Sequence, residues 1–474
     1  MTNNEIFVLV DNRRNATTAP MHTGGDFVHH GGIMRSVELH SMPPSGSLWP
    51  WRAYVSPRSL SNVDISIQLT NRSATQPVAD VFLGFDDGPM RRYSGIAIKG
   101  VLQFKSVSVP NPRVWSTTDP QLHVLRIQMN NATIRERFGL RIIDIDEKML
   151  RIRLNGEVIK LVGWNHHTEW PYTSGSPTDA QLDQDVAILK QGGANYVRGA
   201  HYPQDPRWLD RMDENGMLFW SETLGPSVKA ANMTDPYFLN YQAVQLNQMI
   251  DAAMNHPAIA FWAFFNEGDS DIPEACGAYD MCAEVIRSRD DTRLVTYASR
   301  GPPHWDVCHP AADVISINWY PGWYRPEDKP AEMWNNLTSY FIAFGKPFII
   351  SETGAGGIYE WSHNASAEQW TLAYQTKVIQ EDVDAGITNS NISGISLWHL
   401  FDFKAGDQNN TSCDYLTNVY PPTCGYINVS ESNRPGGLNH KGSIDFWRRK
   451  KPIFDIVAAK YNATKSSADG VSDV

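Results

Sequence analysis

The chain has 474 residues, a formal net charge of −11, 11% aromatic residues and 16 Trp. That length is enough for two or three domains. The acidic balance argues against nucleic acid or an anionic membrane as partner, and no apolar run is long enough to span a bilayer.

Residues 1–48 read as short strands and loops ending at Met42-Pro43-Pro44-Ser45-Gly46-Ser47. They are too few to close a core. The start lacks the basic and apolar regions of a signal peptide. Residues 49–144 alternate in β fashion, as in Val63-Asp-Ile-Ser-Ile-Gln-Leu69 and Leu122-His-Val-Leu-Arg-Ile-Gln-Met129. With turn residues such as Asp86-Asp87-Gly88-Pro89 between the runs, this predicts an immunoglobulin-like β-sandwich.

From residue 145 to 463 eight strand-like runs follow: 160–165, 194–201, 217–222, 259–267, 293–299, 314–320, 347–352 and 392–403. Amphipathic stretches separate most of them, among them 178–190, with Leu182, Val186 and Leu189 on one face, 236–254, 274–287 and 367–383. The fifth connection, 301–311, is Pro-rich and leaves room for a short helix only. Eight such units predict a (β/α)8 TIM barrel; no Gly-rich phosphate loop follows the first run to support a nucleotide fold. Residues 464–474 read as a disordered tail.

A barrel carries its reactive groups at the carboxyl ends of its strands. There stand Asn266-Glu267 on strand four and Glu352 on strand seven. Two facing carboxylates, about 5–5.5 Å apart, suit double displacement at a sugar carbon. Glu267 is the expected acid/base, with a raised pKa, and Glu352 the expected nucleophile, kept ionised by donors such as Tyr320. Asn266 can bond a sugar 2-hydroxyl, and Trp398 offers a flat apolar face. His167, His201, Glu169, Glu222 and Asp213 raise a zinc reading, but no i, i+4 His pair or Cys cluster accompanies them. No metal or cofactor is therefore expected. A Ser hydrolase lacks its Gly-X-Ser-X-Gly elbow, and His29-His30 read as loop residues.

Of the five Cys, Cys413 can pair with Cys424 and Cys276 with Cys282, leaving Cys308 over. Eleven Asn-X-Ser/Thr sequons, at Asn15, 71, 131, 232, 336, 364, 391, 409, 410, 428 and 462, point to a secreted or lysosome-like glycoprotein whose true amino terminus precedes this sequence.

Several motifs resemble glycoside hydrolase family 2, the β-glucuronidase, β-galactosidase and β-mannosidase group, over nearly the whole chain. They are Asp26-Phe-Val-His-His-Gly-Gly-Ile33-Met-Arg35, Trp115-Ser-Thr-Thr-Asp-Pro120, Phe138-Gly-Leu-Arg141, Leu154-Asn-Gly156, Gly163-Trp-Asn-His-His167, Arg198-Gly-Ala-His201-Tyr-Pro203, Asn255-His-Pro257 and Asn266-Glu267. The resemblance implies that residues 1–48 are the remnant of a sugar-binding jelly-roll, lacking about its first hundred residues. It implies that Asp26 reaches the sugar's distal hydroxyls, that His167 and His201 are subsite ligands, and that Glu267 and Glu352 have the roles given above. Asn318-Trp-Tyr320-Pro-Gly-Trp-Tyr324 is similar to the β-glucuronidase pattern around two active-site Tyr. Asn439-His-Lys441-Gly442 resembles the Asn-X-Lys-Gly that contacts a glucuronate carboxylate, although some β-galactosidases carry it too. The alternative for Lys441 is a solvated turn beside Arg448, Arg449, Lys450 and Lys451. Thr353 departs from the family's aromatic residue after the nucleophile and is expected to loosen the subsite floor.

The expected function is a retaining exo-β-glycosidase acting on a small-molecule or oligosaccharide β-glycoside, with β-glucuronides first and β-galactosides next. A sugar-binding protein without turnover, or an inactive fragment, is the reading from another class. Family members are often homo-oligomers.

Overall fold

The computed structural model describes residues 5–10, 26–28, 30–40, 48–70, 76–223, 225–302, 304–360, 368–405 and 434–468. Residues 5–10 and 26–40, read above as short strands and loops, form no strand where described. No neighbouring strand pairs with them; side chains fix the second stretch instead, Arg35 donating to the Gly175 carbonyl at 3.0 Å.

Seven strands follow: β1 (Pro50–Pro57), β2 (Asn62–Leu69), β3 (Gln76–Phe85), β4 (Arg91–Ala97), β5 (Val101–Ser108), β6 (His123–Met129) and β7 (Ala132–Phe138). They form two antiparallel sheets, β1-β2-β5 and β4-β3-β6-β7. Period-two alternation sends Val63, Ile65, Ile67 and Leu69 inward from β2, where they meet Val81, Leu83, Leu125 and Ile127 of the facing sheet. A small sheet, β8 (Ile143–Asp146), β9 (Arg151–Leu154) and β10 (Glu157–Val158), leads to the barrel. Its β9–β10 turn is Asn155-Gly156, both at positive φ, the two-residue hairpin geometry such a pair favours.

The barrel closes through eight parallel strands: β11 (Leu161–His166), β12 (Tyr196–Gly199), β13 (Leu218–Glu222), β14 (Ile259–Asn266), β15 (Leu294–Ser299), β16 (Ile315–Asn318), β17 (Phe348–Thr353) and β18 (Gly394–Leu397). Every residue of these strands is buried, as strands covered on both sides require. The sequence runs at strands two and eight are longer than the observed strands, because the chain leaves the ladder at Ala200 and Trp398.

The helices are α1 (Asp179–Gln191), α2 (Pro206–Asn215), α3 (Ala230–Met233), α4 (Pro236–Ala253), α5 (Cys276–Arg289), α6 (Pro330–Ile342), α7 (Leu372–Thr388) and α8 (Pro452–Ala468). Thr178 and Gln181 form a capping box at the start of α1, and Leu182, Val186 and Leu189 are buried from it. Among its described residues the fifth connection holds a short 3-10 turn, His309–Ala311. Helix α8 runs to Ala468, so residues 464–468 are helical, not tail; no Gly or Pro interrupts the segment before Gly470.

The disulfide joins Cys276 to Cys308, not to Cys282. Cys276 and Cys282 stand six residues apart on α5, where the helical period points them to different faces. Cys282 is buried and free. Cys413 and Cys424 lie outside the described residues. Sequons at Asn131, Asn336 and Asn462 are exposed, and those at Asn232 and Asn391 half-buried. Among the described residues no helix is long and apolar enough to cross a membrane.

Candidate active site

A cavity of about 360 Å³ opens at the carboxyl ends of the barrel strands. Of the twelve residues singled out from the sequence, ten line it: Glu267, Glu352, Asp26, His201, Asn266, Asn318, Tyr320, Tyr324, Trp398 and Lys441. His167 and Asn439 do not.

Glu352 lies on β17 and is buried. Arg198 Nη1 donates to its Oε1 at 2.6 Å and the Tyr320 hydroxyl to its Oε2 at 2.6 Å. Both donors fix the orientation of the carboxyl. Arg198, fully buried on β12, also bonds Glu222 at 2.9 Å, Asn165 at 3.0 Å and Asn266 at 2.8 Å. Burial alone would lower its pKa, but the carboxylates of Glu222 and Glu352 raise it, so the cation is fixed. After Glu352 the chain turns at Gly354, φ 154°, where an added Cβ would come within 2.4 Å of the Trp398 carbonyl.

Glu267 follows β14 in the left-handed region, φ 53°, with its amide on the Ala298 carbonyl. That turn re-aims its side chain into the cavity. Its carboxyl accepts from Asn318 Nδ2 at 3.0 Å. Burial, and then the charge of Glu352, raise its pKa above the ordinary carboxyl value. A raised carboxyl is what a proton donor requires. Asn318 also donates to Asn266 Oδ1 at 2.9 Å, so one amide orients both Asn266 and Glu267. His201 gives Nδ1 to Glu222 at 3.0 Å, and its ring stacks on Trp398 at 5.1 Å. One face of Trp398 is thus taken by protein.

Lys441 is buried, with its Nζ 3.1 Å from the Tyr324 hydroxyl and 5.0–5.5 Å from the ring centres of Tyr320, Trp323 and Tyr324. The solvated-turn alternative is therefore wrong: aromatic walls enclose the ammonium, and burial lowers its pKa. Among the described residues no carboxylate pairs with it. Beside it, Asp26 forms an ion pair with Arg434 and accepts from Asn439 Nδ2 at 2.7 Å. Asn439 also caps the Lys441 amide at 3.1 Å. It holds two cavity residues without facing the cavity itself.

His167 is the other correction. It is buried behind Phe27, stacked at 4.9 Å, and its Nδ1 lies 3.3 Å from the Tyr202 hydroxyl. Phe27, one residue past Asp26, takes the place at the cavity wall. Thr353 also misses the cavity; its hydroxyl donates to Asp382 on α7 at 2.9 Å, so it does not shape the subsite floor.

Arg198, Arg434, Phe27 and Trp319 were missed by sequence reasoning. Arg198 had a usable signal, since an Arg inside a buried strand requires acids around it; Arg434, in a Pro-Gly-Gly loop, had none. The suggested zinc set does not assemble: Asp213 sits at the opposite end of the barrel on His256, and His201 and Glu222 are bound to each other and Arg198. Among the described residues the grouping with metal-ligand geometry is Asp210, Asp213 and His256, which Arg137 already neutralises.

A closed eight-stranded barrel carries its site at the carboxyl ends of its strands, and two carboxyls there suit glycoside hydrolysis. The profile of the glycosyl hydrolases family 2 TIM barrel domain matches residues 143–415, and the chain belongs to that family. A β-glucuronidase of Bacteroides fragilis is 26% identical over 500 residues, which cover 97% of this chain and 66% of the relative. A β-galactosidase of Alteromonas mediterranea is 26% identical over 329 residues, 65% of this chain and 30% of the relative. Among solved structures, a β-galacturonidase from Eisenbergiella tayi bound to galacturonate superposes with a TM-score of 0.83 at 26% identity, covering 96% of this chain and 78% of that one. The chain thus spans less than two thirds of the length of the curated relatives.

Proposed function

We propose that this protein is a retaining exo-β-glycosidase that removes terminal β-linked uronic acid, glucuronate first. Glu267 gives its proton to the leaving oxygen while a Glu352 oxygen attacks the anomeric carbon, forming a glycosyl ester and releasing the aglycone. Glu267, now a carboxylate, then takes a proton from water, which attacks the same carbon and frees Glu352. Arg198 and Tyr320 donate to the Glu352 carboxyl and stabilise it as it leaves.

The observation that carries the uronide reading is Lys441, a buried ammonium at the cavity wall with no carboxylate partner among the described residues. Such a charge is expensive unless something pairs with it, and a sugar carboxylate does so. A neutral hexose would leave it unpaired. The likeness to a β-galacturonidase favours galacturonide as the second reading, since both uronates present the same carboxylate; β-galactoside turnover would leave Lys441 without its anion. A binding protein without turnover has no use for two buried carboxyls lining one cavity at strand ends. Exposed sequons at Asn131, Asn336 and Asn462 support a secreted or lysosome-like glycoprotein.

The test is a matched aryl panel (β-glucuronide, β-galacturonide, β-galactoside, β-mannoside) with this chain and Glu352→Gln. Uronide turnover that falls at least a thousandfold in the variant, with sugar binding kept, is expected. Unchanged turnover would remove Glu352 as nucleophile.

A further inference from the structure

The aromatic rings beside Glu267 do not stop at the cavity rim. Trp319 follows Asn318, the donor to Glu267, and lines the cavity. Its ring meets Trp305 edge-on at 6.1 Å; Trp305 meets His304 at 5.5 Å, and His304 meets Tyr340 at 5.5 Å. Trp305 is 49% exposed and Tyr340 50%. Arg325, exposed and lining the cavity, lies over Trp319 at 5.4 Å. Single exposed rings need no explanation, but a contiguous row leading out of a cavity does.

The row stands on fixed supports. Trp305 lies between β15 and β16, in a loop tied to α5 by the Cys276–Cys308 disulfide and to the chain after Glu267 by the Val307 amide on the Ser270 carbonyl at 2.9 Å. Asp306 accepts the Tyr297 hydroxyl at 2.8 Å and the Cys308 amide at 2.9 Å. Tyr340 is in the last turn of α6.

Position decides which end of a substrate these rings meet. The proton donor touches the oxygen that leaves, so groups beyond Glu267 face the leaving group. Lys441 contacts Tyr320, Trp323 and Tyr324 and none of this row. Sugar rings carry apolar faces that stack on aromatic side chains, and a row of such rings suits consecutive sugars.

We propose that Trp319, Trp305, His304 and Tyr340 form a track for the leaving-group end of an oligosaccharide. The natural substrate is then a sugar chain trimmed from its terminus, not a small conjugate. The direction of the track rests on Glu267 being the acid of the proposed function.

The test compares methyl β-glucuronide, the disaccharide glucuronosyl-β-1,3-N-acetylglucosamine, and a hyaluronan tetrasaccharide with glucuronate at its non-reducing end. Trp305→Ala is expected to lower kcat/KM about fivefold for the disaccharide and more for the tetrasaccharide, leaving the methyl glycoside within twofold. Tyr340→Ala is expected to affect the tetrasaccharide alone. Equal losses on all three, or no loss on the tetrasaccharide, would overturn the track. Should the wild-type chain turn over none of them, the proposed function fails on its own, and calorimetric binding of the tetrasaccharide decides the track. Binding weakened about fivefold by Trp305→Ala would keep it, and no binding, or equal binding by both, would overturn it.

Discussion

The two ends of the barrel treat buried charge in opposite ways. At the end facing the sandwich, the buried Arg141 guanidinium donates to the carbonyls of Pro257 at 3.0 Å, Thr292 at 2.8 Å and Ile259 at 2.6 Å. Asp290 is held by Trp262 at 2.7 Å and Arg293 at 3.0 Å, and Asp213 by His256 at 2.6 Å and the Ala258 amide at 3.0 Å. At the cavity end, Glu222 and Glu352 satisfy Arg198, but among the described residues Lys441 has a phenol hydroxyl and ring faces and no carboxylate paired with it, and Glu267 has one amide donor. Charge that is fully satisfied by the protein holds the fold; charge left open is available to a ligand.

The largest consequence lies at the satisfied end. Arg141→Met removes a donor to three buried carbonyls and is expected to cost about 3–5 kcal/mol of stability. It should lower Tm by several degrees while kcat of the folded enzyme stays within twofold. A change in kcat at unchanged Tm would erase the distinction between the two ends.

At the open end the balance reverses. Lys441→Met keeps the volume and removes the charge. A lost charge-assisted hydrogen bond of about 2 kcal/mol corresponds to roughly a thirtyfold rise in KM for an aryl β-glucuronide. KM for a neutral glycoside should move less than threefold, and Tm should hold or rise, because a buried cation with no carboxylate partner among the described residues is gone. Equal shifts in KM for both glycosides would show that Lys441 acts through the wall and not on the substrate.

The same contrast explains what could be read from the sequence. Period-two and strand–helix alternation located the sheets and all eight barrel strands, because burial on a fixed period leaves its mark in every residue type along a strand. The motifs that carried the family resemblance divide between the two ends. Glu267, Glu352 and Lys441 reach the cavity. Trp115, Arg141 and Asn255 join sandwich to barrel, Trp115 through its indole on the Asp213 carbonyl at 2.8 Å and Asn255 through the Ala53 carbonyl at 2.8 Å. Nothing in the one-dimensional pattern separates those two duties. Phe27 standing in front of His167, or Thr353 turning to Asp382, depends on which way a side chain leaves a strand end, where the chain has already left the regular alternation. Arg434 meets Asp26 across 408 positions of sequence, a distance no local pattern spans.

The finest test of the comparison uses pH, because Asp290 at one end and Glu267 at the other are shifted in opposite directions. Burial works against ionising Asp290, but Arg293 and the donors around it depress its pKa from 3.8 to about 2. A depressed carboxyl contributes stability that is present above its unfolded value and is lost as pH falls through the folded one; here that is about 2 kcal/mol, lost between pH 4 and 2. Glu267 is raised above 4.5, first by burial and then by Glu352. Its folded state holds the proton more tightly than the unfolded chain, so it opposes folding as pH rises above 4.5, and under the proposed mechanism turnover loses its acid as pH passes the raised value. Stability should therefore fail on the acid side and turnover on the alkaline side. In Asp290→Asn, Tm is expected to be lower at neutral pH and to fall less between pH 4 and 2, with the alkaline limb of kcat/KM unmoved. Glu267→Gln should leave acid unfolding unchanged and abolish that limb, read on a 2,4-dinitrophenyl glycoside whose leaving group needs no proton. An alkaline limb that survives in Glu267→Gln would assign the acid to another group and remove the basis for contrasting the two ends by protonation.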